Sequence, residues 1–252
     1  MNGYFAFLRK ELTESMKNHR FLILFFLFLI FGVMSVFLAK YIPEILSALA
    51  AEMELHSEPV PLDAWKQFYK NISSVGFSAF IILYGSCLSS EYAKGTLVLL
   101  VTKGLSRKAV ILAKYTAAAI LMTVSYWISY GAAYGCTALL WQDIDLSHTA
   151  FAAASLWITG FLYLSILMFG CVLFRQAFTS ILFTGGIVAL ISLLGMAEPI
   201  AAFHPLRLGT DTIDLISGTA APADLMVPAV LSILLSVFGL WSAMRFFTKK
   251  QL

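Results

Sequence analysis

The sequence predicts an all-α polytopic membrane protein. It has six transmembrane helices, an N-terminal amphipathic interfacial helix and a short helix in the loop between the second and third spans. Two observations carry that prediction. The chain is 60% hydrophobic and only 12% charged, with a mean hydropathy of +0.85, whereas soluble domains carry about 25% charged residues. Its apolar residues also come in continuous runs rather than in the alternating pattern of a transmembrane β-barrel. The 252 residues fit a single transmembrane domain, 1–252, with no room for a separate catalytic domain.

Residues 1–20 place Phe5, Leu8, Leu12 and Met16 on one helical face and Arg9, Lys10, Glu11, Glu14 and Lys17 largely elsewhere, the pattern of a helix lying in the interface. The first span, 21–39, is uncharged and rich in phenylalanine, and it is longer than a signal-peptide core, so it reads as an anchor. Lys40 to Lys70 gathers acids and the prolines Pro59 and Pro61 and reads as an outer loop, in which Ile45–Leu55 could be helical. The second span, 72–90, carries Ser74, Ser78, Gly85 and Ser89 at near-helical spacing, a small-residue face suited to close helix packing.

The third span, 109–140, is long enough to tilt or to project beyond the bilayer. Tyr126, Tyr130 and Tyr134 recur along it at four-residue spacing, a stripe of hydroxyl-bearing rings that either packs against another helix or lines a substrate path. A short outer turn, Trp141–Asp145, leads to the fourth span, 151–174; only Arg175 and Gln176 separate this from the fifth, 177–196, so those two helices are antiparallel neighbours. The segment 197–224 holds three prolines and scattered acids and reads either as short half-inserted helices or as a plain external loop. The sixth span, 225–244, ends in Arg245, Lys249 and Lys250.

Orientation follows from the cations. Of the 17 lysines and arginines, Lys40, Lys66, Lys70 and Arg207 fall on one side and the other thirteen on the opposite side. Positive residues stay cytoplasmic, which places both termini and the loop after the second span inside, in a cell (inner, cytoplasmic) membrane.

Absences narrow the chemistry. His19, His56, His148 and His204 lie in loops or at helix ends, and Cys87, Cys136 and Cys171 have no Cys or His partner at metal-ligand spacing, so no metal and no catalytic residue is expected. The span centres carry no Asp, Glu, Lys or Arg, where proton- and sodium-coupled carriers usually keep such groups. No phosphate-binding Gly-x-x-x-x-Gly-Lys-Ser/Thr loop occurs, so this chain is expected to bind no cofactor. Nucleic acid is not an expected partner; membrane lipid is.

The inner loop, Glu91 to Lys114, is the informative stretch. It sets five cations against one acid, yet encloses the apolar run TLVLLVT, too apolar for a solvated loop and far short of the roughly 20 residues a span needs. A short helix answers both constraints, with Gly95-Thr96 to start it, Gly104 to end it and Ser106 to cap the next helix from Arg107. Either it rests on the inner membrane surface or it docks a cytosolic partner. Glu91 can pair with a nearby Lys or Arg or across such an interface.

The pattern Glu91, Gly95-Thr96, an apolar stretch, then Ser106-Arg107 and Lys114 resembles that of the type-2 ABC exporter permeases, and the six spans with an amphipathic N-terminal helix extend the resemblance over the whole chain. The resemblance implies that 93–106 is a coupling segment seated in a separate cytosolic ABC ATPase subunit, with Glu91, Gly95, Thr96, Leu97, Leu99, Leu100, Ser106 and Arg107 at the contact. It also implies ATP and Mg on that partner rather than on this chain, and a second permease, identical or homologous. The expected function is then the permease subunit of an ATP-driven exporter for an apolar or amphipathic substrate, not itself an enzyme. Two alternatives stay open: a permease-like subunit that transmits ATPase cycles without pumping, and a self-sufficient carrier or channel.

Overall fold

Among the described residues six helices are long and apolar enough to cross a membrane: Arg20–Pro43, Pro61–Ala93, Arg107–Leu140, Thr149–Leu173, Ala177–Leu194 and Pro222–Lys249. The computed structural model of the protein describes residues 2–49, 59–102, 104–141, 146–197 and 201–250. Most of Ile45–Leu55, most of the turn Trp141–Asp145, Lys103, and Glu198 with Pro199 lie outside the described residues.

In chain order, α1 is Asn2–Lys17 and α2 is Arg20–Leu49. The second spanning helix, α3, is Pro61–Ala93 and is not uniform: its first part, Pro61–Asn71, passes through a π-helical turn at Ile72–Gly76, continues as Phe77–Tyr84, and resumes after a break as Ser89–Ala93. The short helix α4 is Thr96–Thr102, followed by α5, Arg107–Leu140, α6, Thr149–Leu173, and α7, Ala177–Leu194. Two single-turn helices, α8 (Arg207–Thr210) and α9 (Thr212–Ile216), precede α10, Pro222–Lys249. No strand occurs among the described residues.

Between helices in lipid there is little hydrophobic driving force, so van der Waals contact and hydrogen bonds must hold the bundle. Close approach supplies the first: a Cβ on Gly32 of α2 would stand 2.6 Å from the Ser129 carbonyl of α5. At that crossing the Ser129 hydroxyl donates to the Phe28 carbonyl. The break in α3 is handled likewise. Gly85 there meets Ile181 of α7, where a Cβ would come within 2.5 Å, and the Gly85 carbonyl accepts from the Cys171 thiol at 3.3 Å. All three cysteines are free, and Cys87 and Cys171 are buried.

Three expectations need correction. The second spanning helix begins at Pro61, not near residue 72, because Trp65, Phe68, Tyr69 and Ile72 form a fully buried stripe while Asp63 and Lys66 pair on the opposite side; charge disguised an amphipathic first turn. The small-residue face of that span packs within the chain only in its second half: Gly85 meets Ile181, whereas Ser74 and Ser78 are exposed and bond back to the carbonyls four residues earlier. The first spanning helix continues beyond residue 39, through Pro43 to Leu49.

The segment after α7 reaches into the bundle. Ser232, ten residues or about 15 Å along α10 from Pro222, donates to the Pro205 carbonyl, and Gly209 lies beside Ser73, Leu156 and Thr159. Pro205 to Ile216 therefore packs against α6 and α10 below the helix ends.

Candidate functional site: the α4 end of the bundle

The residues of the Glu91–Lys114 loop gather at the end of the bundle where α3 stops and α5 begins. Gly95 and Gly104 bracket α4 with φ of +65° and +88°, a left-handed conformation that costs glycine little and other residues more. Thr96 opens the helix and its hydroxyl donates to the Glu91 carbonyl at 3.4 Å. Ser106 caps α5 by accepting from the Ala109 amide.

The apolar residues of α4 divide sharply. Leu97 is 1% exposed and belongs to the core, Leu100 is partly buried against it, and Leu99 is 60% exposed. The helix is therefore pinned from below by Leu97 and presents Leu99 outward.

Beneath it lies an ionic network that sequence reasoning located only in part. Lys10 of α1 approaches Glu14 at 2.8 Å, Glu91 at 2.9 Å and Glu11 at 3.0 Å. Lys114 of α5 approaches Glu11 at 2.9 Å and Glu91 at 3.1 Å. Glu91 and Lys114 are buried, and both cations also sit over the Phe7 ring, at 5.1 and 5.6 Å. Three carboxylates thus share two ammonium groups, joining α1, the inner end of α3 and the start of α5. The Glu91 pairing is local. Its partners come from α1 and α5, however, helices far from Glu91 in sequence or beyond the loop.

The electrostatics follow from this packing. Burial by itself would lower the affinity of Lys10 for its proton, but hydrogen bonds to Glu14, Glu91 and Glu11 outweigh it and raise its pKa above the ordinary lysine value. The hydrogen bond from Lys10 holds the Glu14 carboxyl below its ordinary value of 4.5. One oxygen of Glu91, Oε2, is buried and has no hydrogen-bond partner among the described residues. Glu91 lines two small cavities flanking α4, of about 310 and 260 Å³, the first with Leu99 and Lys94, the second with Gly95 and Leu97.

Arg107 turns away from α4, toward the end of the last helix. Its guanidinium donates to the carbonyls of Phe247, Thr248 and Lys250, groups that a helix C-terminus leaves without partners. Lys250 in turn donates to the Val172 and Leu173 carbonyls at the end of α6, at 2.7 and 3.1 Å. The loop is thereby clasped to α10, and α10 to α6.

The tyrosine stripe lies deeper in the bundle, away from this site. Tyr126 is fully buried and donates to the Ala153 carbonyl at 2.8 Å. Tyr130 packs on Trp65 with ring centroids 5.2 Å apart, and Tyr134 is 47% exposed. The stripe thus passes from helix packing at Tyr126 to an open surface at Tyr134.

This end therefore combines a short helix that presents Leu99 outward with an adjoining charge network that ties α1, the end of α3 and the start of α5. It contains no arrangement for covalent chemistry, and no group of three potential metal ligands occurs among the described residues. The family model described as ABC-2 family transporter protein matches residues 5–205. No curated protein matches the chain.

Proposed function

The chain belongs to the ABC-2 family of transporter proteins and is a multi-pass membrane transport subunit; from that premise we propose that it is the permease of an ATP-driven exporter. In this reading α4 is the coupling helix. A separate cytosolic ATPase subunit, which holds ATP and Mg, covers Leu99 and the cavities beside Glu91, and the unpartnered Glu91 Oε2 accepts a hydrogen bond from it. The excess of cations at this end supports an orientation with α4 and both termini on the cytoplasmic side of a cell membrane. Two such six-span units, identical or homologous, complete the pump.

The observation that carries the reading is the split between Leu97 and Leu99. A helix resting only on its own protein would bury its leucines or turn them to lipid. This one stands between exposed Lys94 and Gly104 with Leu99 facing out, an arrangement that supports a covering partner. Closure of the ATPases displaces α4, and Glu91, Lys10, Glu11 and Lys114 carry the displacement to α1 and α5; a partner shifts the bundle only by contacting its two states differently.

The test is affinity purification from the native host in mild detergent. A stoichiometric soluble ATPase whose hydrolysis is stimulated by this chain, and which is lost with Leu99→Asp, supports the proposal. A preparation of this chain alone, even after crosslinking, would remove it in favour of a self-sufficient carrier or channel.

A further inference from the structure

At the end of the bundle opposite α4 lies a cavity of about 740 Å³, within the range of small-molecule sites. It lies between the inserted segment Pro205–Ile216, the end of α7 and the π-helical turn of α3, all of which contribute lining residues. π-turns displace side chains from the regular helical register and recur at functional sites; Ser73, in that turn, lines the cavity.

Its interior is polar in a specific way. Tyr163, nine-tenths buried as a residue, lines the cavity, and no described residue hydrogen-bonds its hydroxyl. His204 donates its Nε2 proton to the Ile191 carbonyl at 2.7 Å, since a carbonyl only accepts. The two charges that line the cavity, Arg207 and Asp211, pair at 2.6 Å and cancel. Leu206 and Met196 supply apolar wall, and the rim at Ser192 and Thr210 is exposed.

We propose that this cavity binds the headgroup of an amphiphile, a net-neutral head rich in hydrogen-bonding groups. The hydroxyls of Tyr163 and Ser73 are the free polar groups available to it. The Arg207–Asp211 pair offers both signs of charge to a zwitterion but no net attraction to an anion. The proposal rests on the export reading for its meaning, since it names the class of cargo, and the site itself is testable without transport.

The probe is a lysophosphatidylcholine bearing a diazirine at the head end of its chain, photolysed with the chain in nanodiscs and compared with the same probe carrying an anionic phosphoglycerol head. The label is expected on peptides containing Tyr163 and residues 192–211, with the zwitterionic probe favoured. Tyr163→Phe, which removes one hydrogen bond and keeps the ring, reduces labelling about fivefold. Ser192→Trp, which fills the rim, reduces it further.

Label spread over the lipid-facing surfaces of α7 and α10, indifference to both substitutions, or preference for the anionic head overturns the site; if the tryptophan variant fails to fold, Tyr163→Phe decides alone. Labelling in an assembly that moves no cargo keeps the site and removes the export reading. Transport of the probe unaffected by either variant does the reverse.

Discussion

Lys114 stands 3.1 Å from Glu91 in a setting where both side chains are almost wholly shielded from solvent. A buried pair of this kind contributes little net stability, because desolvation cancels most of the attraction, but removing one partner strands the other. Lys114→Ala should therefore destabilise the folded chain, by less than the ~3–5 kcal/mol of a fully stranded partner because Lys10 still holds Glu91 and Glu11, read as a lower thermal midpoint in detergent. Glu91→Gln combined with Lys114→Met should cost markedly less than Lys114→Ala alone. Equal losses in both variants would mean that the ammonium group is not the feature that matters.

Much of this architecture was readable from the chain, and the reasons for the exceptions are physical. Long uncharged runs such as 21–39 announce spans because the bilayer tolerates little else. The brackets of α4, Gly95 and Gly104, were legible because a left-handed turn favours glycine. The start of α3 was hidden because Asp63, Lys66 and Lys70 made 61–70 resemble a loop, although Trp65, Phe68, Tyr69 and Ile72 already carried a helical period. The union of Lys10 and Glu11 with Lys114 was not legible, since nothing local records which helices meet across about a hundred residues.

The exposures of Leu97 and Leu99 separate folding from coupling. Leu97→Asp inserts a carboxylate into the core and should lower the yield of monodisperse protein. Leu99→Asp should leave the yield and the thermal midpoint unchanged while abolishing ATPase co-purification and stimulation. Loss of folded protein in the Leu99 variant would place that side chain inside the bundle and sink the docking role.

Acid should loosen the inner end before it unfolds the bundle. Glu14 has its pKa lowered on folding, so its contribution is present above its ordinary value of 4.5 and is lost as pH falls through the lower folded value. Lys10 has its pKa raised, so its contribution is complete at neutral pH and is lost only in strong alkali, above the ordinary lysine range. Hydrogen exchange of residues 2–17 should therefore be flat through neutral pH and, after correction for intrinsic rates, accelerate below about pH 4.5. Glu14→Gln should remove that pH dependence; its persistence in the variant would assign it to another carboxylate.

Arg107 immediately follows the segment 93–106, yet its guanidinium serves α10. Cations near a helix C-terminus satisfy its free carbonyls and oppose its dipole, worth about 0.3–1 kcal/mol at an exposed site. Arg107→Ala should thus have a small effect on global stability but a local one on order: amide exchange at residues 246–250 should rise several-fold, and the last turn of α6, which Lys250 holds, should follow. Arg107→Lys keeps the charge but loses the planar fork that reaches several carbonyls at once, so it should restore only part of the protection. ATPase stimulation should fall in the alanine variant in proportion to the lost protection if α10 and α6 move with α4. Stimulation unchanged while the last turn of α10 frays would confine the clasp to a structural role and leave the network of Glu91, Lys10, Glu11 and Lys114 as the route by which α4 reaches the bundle.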